Sequence, residues 1–131
     1  MKICVTSVSG NLDAQVDSRF GRCQYFMIVD SESMQFESIP NLAVTSGSGA
    51  GIQAAQTIAS KKAQVLITGN VGPKAFQALS AAGISIITGA SGKVRAAIEK
   101  YSQGLFSETK APTVGEHFGM KTGKRQDRRI E

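Results

Sequence analysis

Metal-ligating side chains are scarce in this chain. It has one histidine, His117, and two cysteines, Cys4 and Cys23, with no C-x-x-C pair, so a closed zinc site built from this chain alone is not expected. A single histidine near the C-terminus is a poor general base, and triad chemistry has no support. The strand-like segments KICVTSV, VLITG and ISIIT carry no carboxylate, which disfavours two-metal phosphoryl chemistry. Long apolar runs are missing too: none approaches the ~20 residues of a membrane helix. The N-terminal MKICVTSV enters a strand-like pattern with one lysine and no long apolar region, so no secretory signal is visible. The expected setting is cytoplasmic, where structural disulfides are rare, and both cysteines are expected as free thiols.

What is present fits one ordinary domain. The 131 residues are 41% hydrophobic and 19% charged, enough for a single buried core and too short for two. The net charge of +5 is mostly local: residues 121–131 hold five basic groups against two acidic ones. The core has no basic stripe interleaved with stacking aromatics, so nucleic-acid binding is not expected. The domain is placed at residues 1–106. Residues 107–131, aperiodic and rich in glycine, threonine and charge, are expected as a basic, disordered tail with His117 in solvent.

Along the chain, residues 2–8 read as a strand, and 24–30 and 34–39 form a hairpin closed by Pro40 and Asn41. The period then changes from 2 to 3.6. Ile52, Ala55 and Ala59 define one helical face with Ile58 flanking, and Lys61 and Lys62 end the helix. Residues 64–70 form a short buried strand. Pro73 starts a helix with Phe76 and Leu79 inward and Gly83 as its stop. Residues 84–88 are a further strand, and Val94, Ala97, Ile98, Tyr101 and Leu105 keep helical spacing in a last helix. The order β-β-β-α-β-α-β-α predicts an α/β three-layer domain around a mixed five-stranded sheet, an order that resembles the ribonuclease H-like architecture.

Three segments have site-like chemistry. GSGAG, with Gly47, Gly49 and Gly51, fails the G-x-G-x-x-G spacing because position 52 is Ile, yet glycines permit close backbone approach and a helix N-terminus attracts anions. TGNVGP places Asn70 and Gly72 at the carboxyl end of a strand, where open α/β sheets bind ligands. GASG, residues 89–92, repeats the arrangement, so the loops are expected to share one edge. In RFGRC, the guanidinium groups of Arg19 and Arg22 are expected to ease ionisation of the Cys23 thiol, the form that binds metals. Cys23 equally fits a small hydrophobe at the start of a strand, and Cys4 reads as a core residue. On these residues alone, the glycine-rich loops also fit a pocket for a small anionic ligand or a nucleotide phosphate.

The opening strand MKI, then SRFGRCQYFMIVD, GSGAGIQAAQ, ITGNVGPKAFQALSAAGI and GASG before the last helix together resemble the dinitrogenase iron-molybdenum cofactor biosynthesis family, including its NifX type and the NifB C-terminal domain. The resemblance spans residues 1–106. It implies a ribonuclease H-like domain that binds iron-sulfur clusters or iron-molybdenum cofactor precursors and hands them on without catalytic turnover. It also implies cluster donor and acceptor partners, and a cluster-binding loop formed by Ser18, Arg19, Phe20, Gly21, Arg22 and Cys23. Many members carry histidine where this chain has Arg19, which transfers the expected iron ligand to Cys23. One cysteine cannot hold a four-iron cluster, so a homodimer, a partner protein or an external thiol is expected to complete the ligation.

Overall fold

Alternation along the first strand determines the layers. In the computed structural model, which describes residues 1–43 and 49–115, β1 (Lys2–Ser7) sits at the centre of a five-stranded sheet and is buried from Ile3 onward. β2 (Tyr25–Asp30) and β3 (Phe36–Pro40) continue it as an antiparallel meander. On the other side β4 (Val65–Ile67) and β5 (Ser85–Ile87) run parallel to β1. The sheet order is β3-β2-β1-β4-β5, a mixed sheet of the α/β class. The helices α1 (Ala50–Ser60), α2 (Pro73–Ala81) and α3 (Val94–Ser102) supply the crossovers.

Successive side chains of a strand point to opposite faces. Cys4, Phe26, Ile28, Leu66 and Ile86 therefore project to the face covered by α1 and α2, against Ala55, Ile58, Ala75 and Leu79. Ile3, Val5, Met27, Val29, Val65, Ile67 and Ile87 project to the other face and pack on Val94, Ala97 and Ile98 of α3 with Leu12. The element order expected from the sequence is the order observed. Among the described residues no helix is long and apolar enough to cross a membrane.

Three details differ from the periodic reading. The inward face of α1 is Ala50, Ala54, Ala55 and Ile58, with Ile52 only half-buried: the face is rotated so that Ile58, rather than Ile52, fills the core. Leu105 lies beyond the end of α3 and is exposed, because the helix stops before Gly104, which has φ +74°. Residues 106–115, mostly grouped with the tail by composition, run beside β5. Thr109 N donates to Ile86 O (2.7 Å), and Thr113 N to Val71 O (2.9 Å). His117 and residues 121–131 lie outside the described residues.

The carboxyl ends of β1, β4 and β5 share one edge of the sheet, and β3 also ends there, since Pro40 pairs with Tyr25 at the start of β2. α1 and α2 consequently both begin at this edge, where the connection between β1 and β2 folds back across it.

Candidate functional site

Asp17 organises the RFGRC loop. It is nearly buried, and its carboxylate accepts the Arg19 amide (3.2 Å) and the Gln24 amide (3.2 Å), tying the two ends of the turn together. Its own backbone is anchored to β1: Asp17 N donates to Thr6 O, while the Thr6 hydroxyl donates to Asp17 O (2.7 Å). The guanidinium Nε of Arg19 lies 3.6 Å from the same carboxylate, so part of its charge is balanced locally. From the opposite side the buried Asn41 donates through Nδ2 to Gly21 O and Cys23 O, both at 3.0 Å, and accepts the Ala43 amide on Oδ1. Neither Asp17 nor Asn41 was singled out by sequence. The signal for Asn41 is the Pro-Asn pair ending the hairpin, which favours the Asx turn it forms to Ala43.

Close backbone approach brings the other loops to this turn. Gly21 has φ +89°, and a Cβ on it would sit 3.0 Å from the Gly51 Cα. A Cβ on Gly51 would in turn meet Ala75 at 2.9 Å, which sets the start of α1 beside the first turn of α2. Phe20 N donates to Asn70 O (3.1 Å), and Asn70 Nδ2 donates to Ser18 O (3.3 Å). Ser18–Cys23, Gly49, Gly51, Asn70 and Gly72 are thus gathered at one edge, while Gly47 falls outside the described residues. GASG plays another part. The amides of Gly89 and Ala90 are spent on Gly69 O and Thr68 O, and Gly92 O holds the Val16 amide, so this loop supports the site from behind.

The electrostatics favour an anion. α1 is capped by Gly49 and α2 by Gly72; neither has a side-chain cap nor an acidic residue in its first turn. The first-turn amides carry the partial positive charge of the helix N-terminus, those of α2 from Lys74 onward because Pro73 has none. Arg19, Arg22 and Lys74 add formal charge to the same region, against which Asp17 is the one buried carboxylate among the described residues.

Cys23 corrects an expectation. Its side chain is fully buried, and burial pushes the thiol far above the ordinary 9.0, with the nearby Asp17 carboxylate adding to the rise. The Asn41 amide (3.9 Å from Sγ) and Arg19 act in the opposite direction but are outweighed. Removing a thiolate from water costs more than one partly solvated guanidinium group returns. Cys4 is likewise buried and raised, as expected for a core residue, and both cysteines are free. Among the described residues no group of three or more His, Cys, Asp or Glu could hold a metal ion.

Comparison with known proteins shows the family and the fold. A family model described as "Dinitrogenase iron-molybdenum cofactor" matches residues 1–104. The apo form of the orange protein from Desulfovibrio gigas is 43% identical with a TM-score of 0.84, covering 86% of this chain and 96% of that one. A Thermotoga protein described as a NifB candidate is 36% identical with a TM-score of 0.72, covering 82% and 91% respectively. An uncharacterized protein of Methanocaldococcus jannaschii is 30% identical over 93 residues, 69% of this chain and 79% of its own length.

Proposed function

The chain belongs to the dinitrogenase iron-molybdenum cofactor family, and from that premise we propose that it is a non-catalytic carrier of anionic iron-sulfur clusters or iron-molybdenum cofactor precursors. It would receive them from a donor protein and release them to an acceptor in the cytoplasm, on a domain of ribonuclease H-like architecture. The observation that carries the reading is the convergence of two helix N-termini without side-chain caps on the RFGRC turn at the carboxyl edge of the sheet. A sulfide-bearing cluster is an anion, and amides with guanidinium groups bind such a surface without donating a ligand to the metal. Contact in this form is reversible, as a carrier requires.

Within this reading Ser18–Arg22, Gly49, Gly51, Asn70 and Gly72 form the outer cradle. Cys23 is the iron ligand only after its turn moves off Asn41, because its thiol is otherwise covered and protonated. A homodimer or partner thiol would complete the ligation.

Anaerobic reconstitution with iron and sulfide, followed by ultraviolet-visible and Mössbauer spectroscopy, tests the proposal. Wild type is expected to retain bound cluster, and Arg19→Gln/Arg22→Gln to bind about tenfold more weakly, the scale of one lost charge-assisted hydrogen bond. No bound iron in wild type ends the carrier reading. Unchanged binding in Cys23→Ala removes the ligand role of Cys23 alone. The same helix N-termini also fit a small anionic ligand or nucleotide phosphate, in which case inorganic phosphate or nucleotides would raise the melting temperature in proportion to the logarithm of their concentration, and iron and sulfide would not.

A further inference from the structure

Beyond the site itself, the segment after α3 has an arrangement that its composition does not announce. From Leu105 to Gly115 it leaves the α3 side of the sheet and follows the free edge of β5 to the start of α2. Two threonines hold it. Thr109 N donates to Ile86 O (2.7 Å), its hydroxyl oxygen accepts the Thr88 amide (3.1 Å), and the hydroxyls of Thr88 and Thr109 share a further hydrogen bond of 2.8 Å. Thr113 grips one residue twice: its amide donates to Val71 O (2.9 Å), and its hydroxyl oxygen accepts the Val71 amide (2.9 Å).

Little else anchors this segment. Phe106 is half-buried against the α3 core, with the Lys100 ammonium 6.0 Å from its ring centroid. Ser107, Glu108, Lys110, Ala111, Pro112, Thr113 and Gly115 are exposed, and the Glu108–Lys110 pair at 3.5 Å lies in solvent. The fastening hydrogen bonds are only partly buried, and segments held by a few such bonds with little apolar burial are the ones that open locally below the global unfolding free energy.

Its position gives that opening a consequence. The loop from Thr68 to Gly72 is held on one side by the RFGRC turn, through Asn70 to Ser18 and Phe20, and on the other by Thr113. The carbonyl of Gly115 lies 3.5 Å from where a Cβ on Gly72 would stand, against the N-cap of α2. The amide of Val71, two residues before Pro73, is occupied by the segment.

We propose that Leu105–Gly115 is a releasable strap over the carboxyl ends of β4 and β5, fastened at Thr109 and Thr113, and that its release from Val71 opens this flank of the site and sets the rate at which cargo leaves. This rests on the carrier reading above. The strap covers one flank of the candidate site, so an attached strap retains cargo and a detached one lets it exchange.

The test uses the full chain as wild type, Thr113→Val, Thr113→Ser and Thr109→Val/Thr113→Val. Hydrogen exchange of the Val71 and Thr88 amides is measured without cargo. The rate at which a reconstituted iron-sulfide cluster is lost to a chelator is measured on the same proteins. Thr113→Val is expected to speed both Val71 exchange and cluster loss about tenfold, the double variant to exceed it, and Thr113→Ser to restore both toward wild type, with the urea midpoint little changed. Unaltered Val71 exchange overturns the strap. Faster exchange with unaltered cluster loss overturns its control over release. A wild type that takes up no cluster removes the carrier reading and the strap's role in release with it, whereas the exchange data without cargo still decide whether the fastening exists.

Discussion

Replacing Gly69 by alanine is expected to lower the unfolding free energy by about 3 kcal/mol, at the upper end of the overpacking range, because the added methyl meets backbone rather than a yielding side chain. A Cβ on Gly69 would stand 2.6 Å from the Ser18 Cα and 2.7 Å from its carbonyl oxygen. Relief requires moving the RFGRC turn away from β4. That motion strains the hydrogen bonds from Asn70 Nδ2 to Ser18 O (3.3 Å) and from Phe20 N to Asn70 O (3.1 Å). Gly83→Ala is the comparison: it has open space around it and φ +77°, so it should lose only the left-handed backbone penalty of about 1 kcal/mol. Urea denaturation measures both. A Gly69→Ala loss equal to or below that of Gly83→Ala would refute the close approach of the two loops. Retained cluster binding in the same variant would show that the cradle survives displacement of the turn.

Alkaline pH is expected to destabilise the fold steeply through its two buried thiols. Burial raises both Cys4 and Cys23 above the ordinary thiol value of 9.0. Above that pH the unfolded chain releases these protons while the folded chain keeps them. The folded state then binds more protons than the unfolded one, and stability falls as pH rises. The contribution is intact below about pH 9 and is lost above it, with a slope of about 1.4 kcal/mol per pH unit for each thiol. Together the two thiols give about 2.8 kcal/mol per unit, a large fraction of an ordinary domain's stability. Urea titrations at successive pH values above 9 should show this slope in wild type and a much flatter one in Cys4→Ala/Cys23→Ala. Equal slopes in the two proteins would mean that neither thiol is held protonated by the fold. On the proposed carrier reading the titration bears on function as well: a thiolate at Cys23 would form only when its turn opens, which would couple iron ligation there to loop opening.

The candidate site was legible in sequence wherever its chemistry is local. Glycines around TGNVGP and GSGAG mark turns that precede helices, and both helices do start at one sheet edge with glycine caps. Arg19, Arg22 and Cys23 also stand on the turn where RFGRC put them, but the thiol's state was misread. Sequence shows that two guanidinium groups are near Cys23 along the chain. It does not show that Cys23 is buried in the same core cluster as Phe20, Phe26 and Ala54, or that Asp17 lies close enough to oppose ionisation. Asp17 takes the Arg19 amide two residues on and the Gln24 amide seven on, local contacts in a segment with no periodic pattern, whereas the role of Asn41 is not local. Asn41 reaches carbonyls 20 and 18 residues away, beyond any window in which periodicity or turn chemistry operates.

By itself the sequence determined the α/β class, the order of strands and helices, and the scarcity of metal ligands. Each of these follows from composition or from spacing within about ten residues, where the periods 2 and 3.6 act. Tertiary structure alone decided that the Cys23 thiol is covered, that Gly69 must be glycine because the backbone of Ser18 crosses it, and that the segment after α3 returns to fasten on Val71. Burial, desolvation and close approach depend on groups brought together by the folded sheet and its loops, and their distance along the chain leaves no local pattern from which to read them.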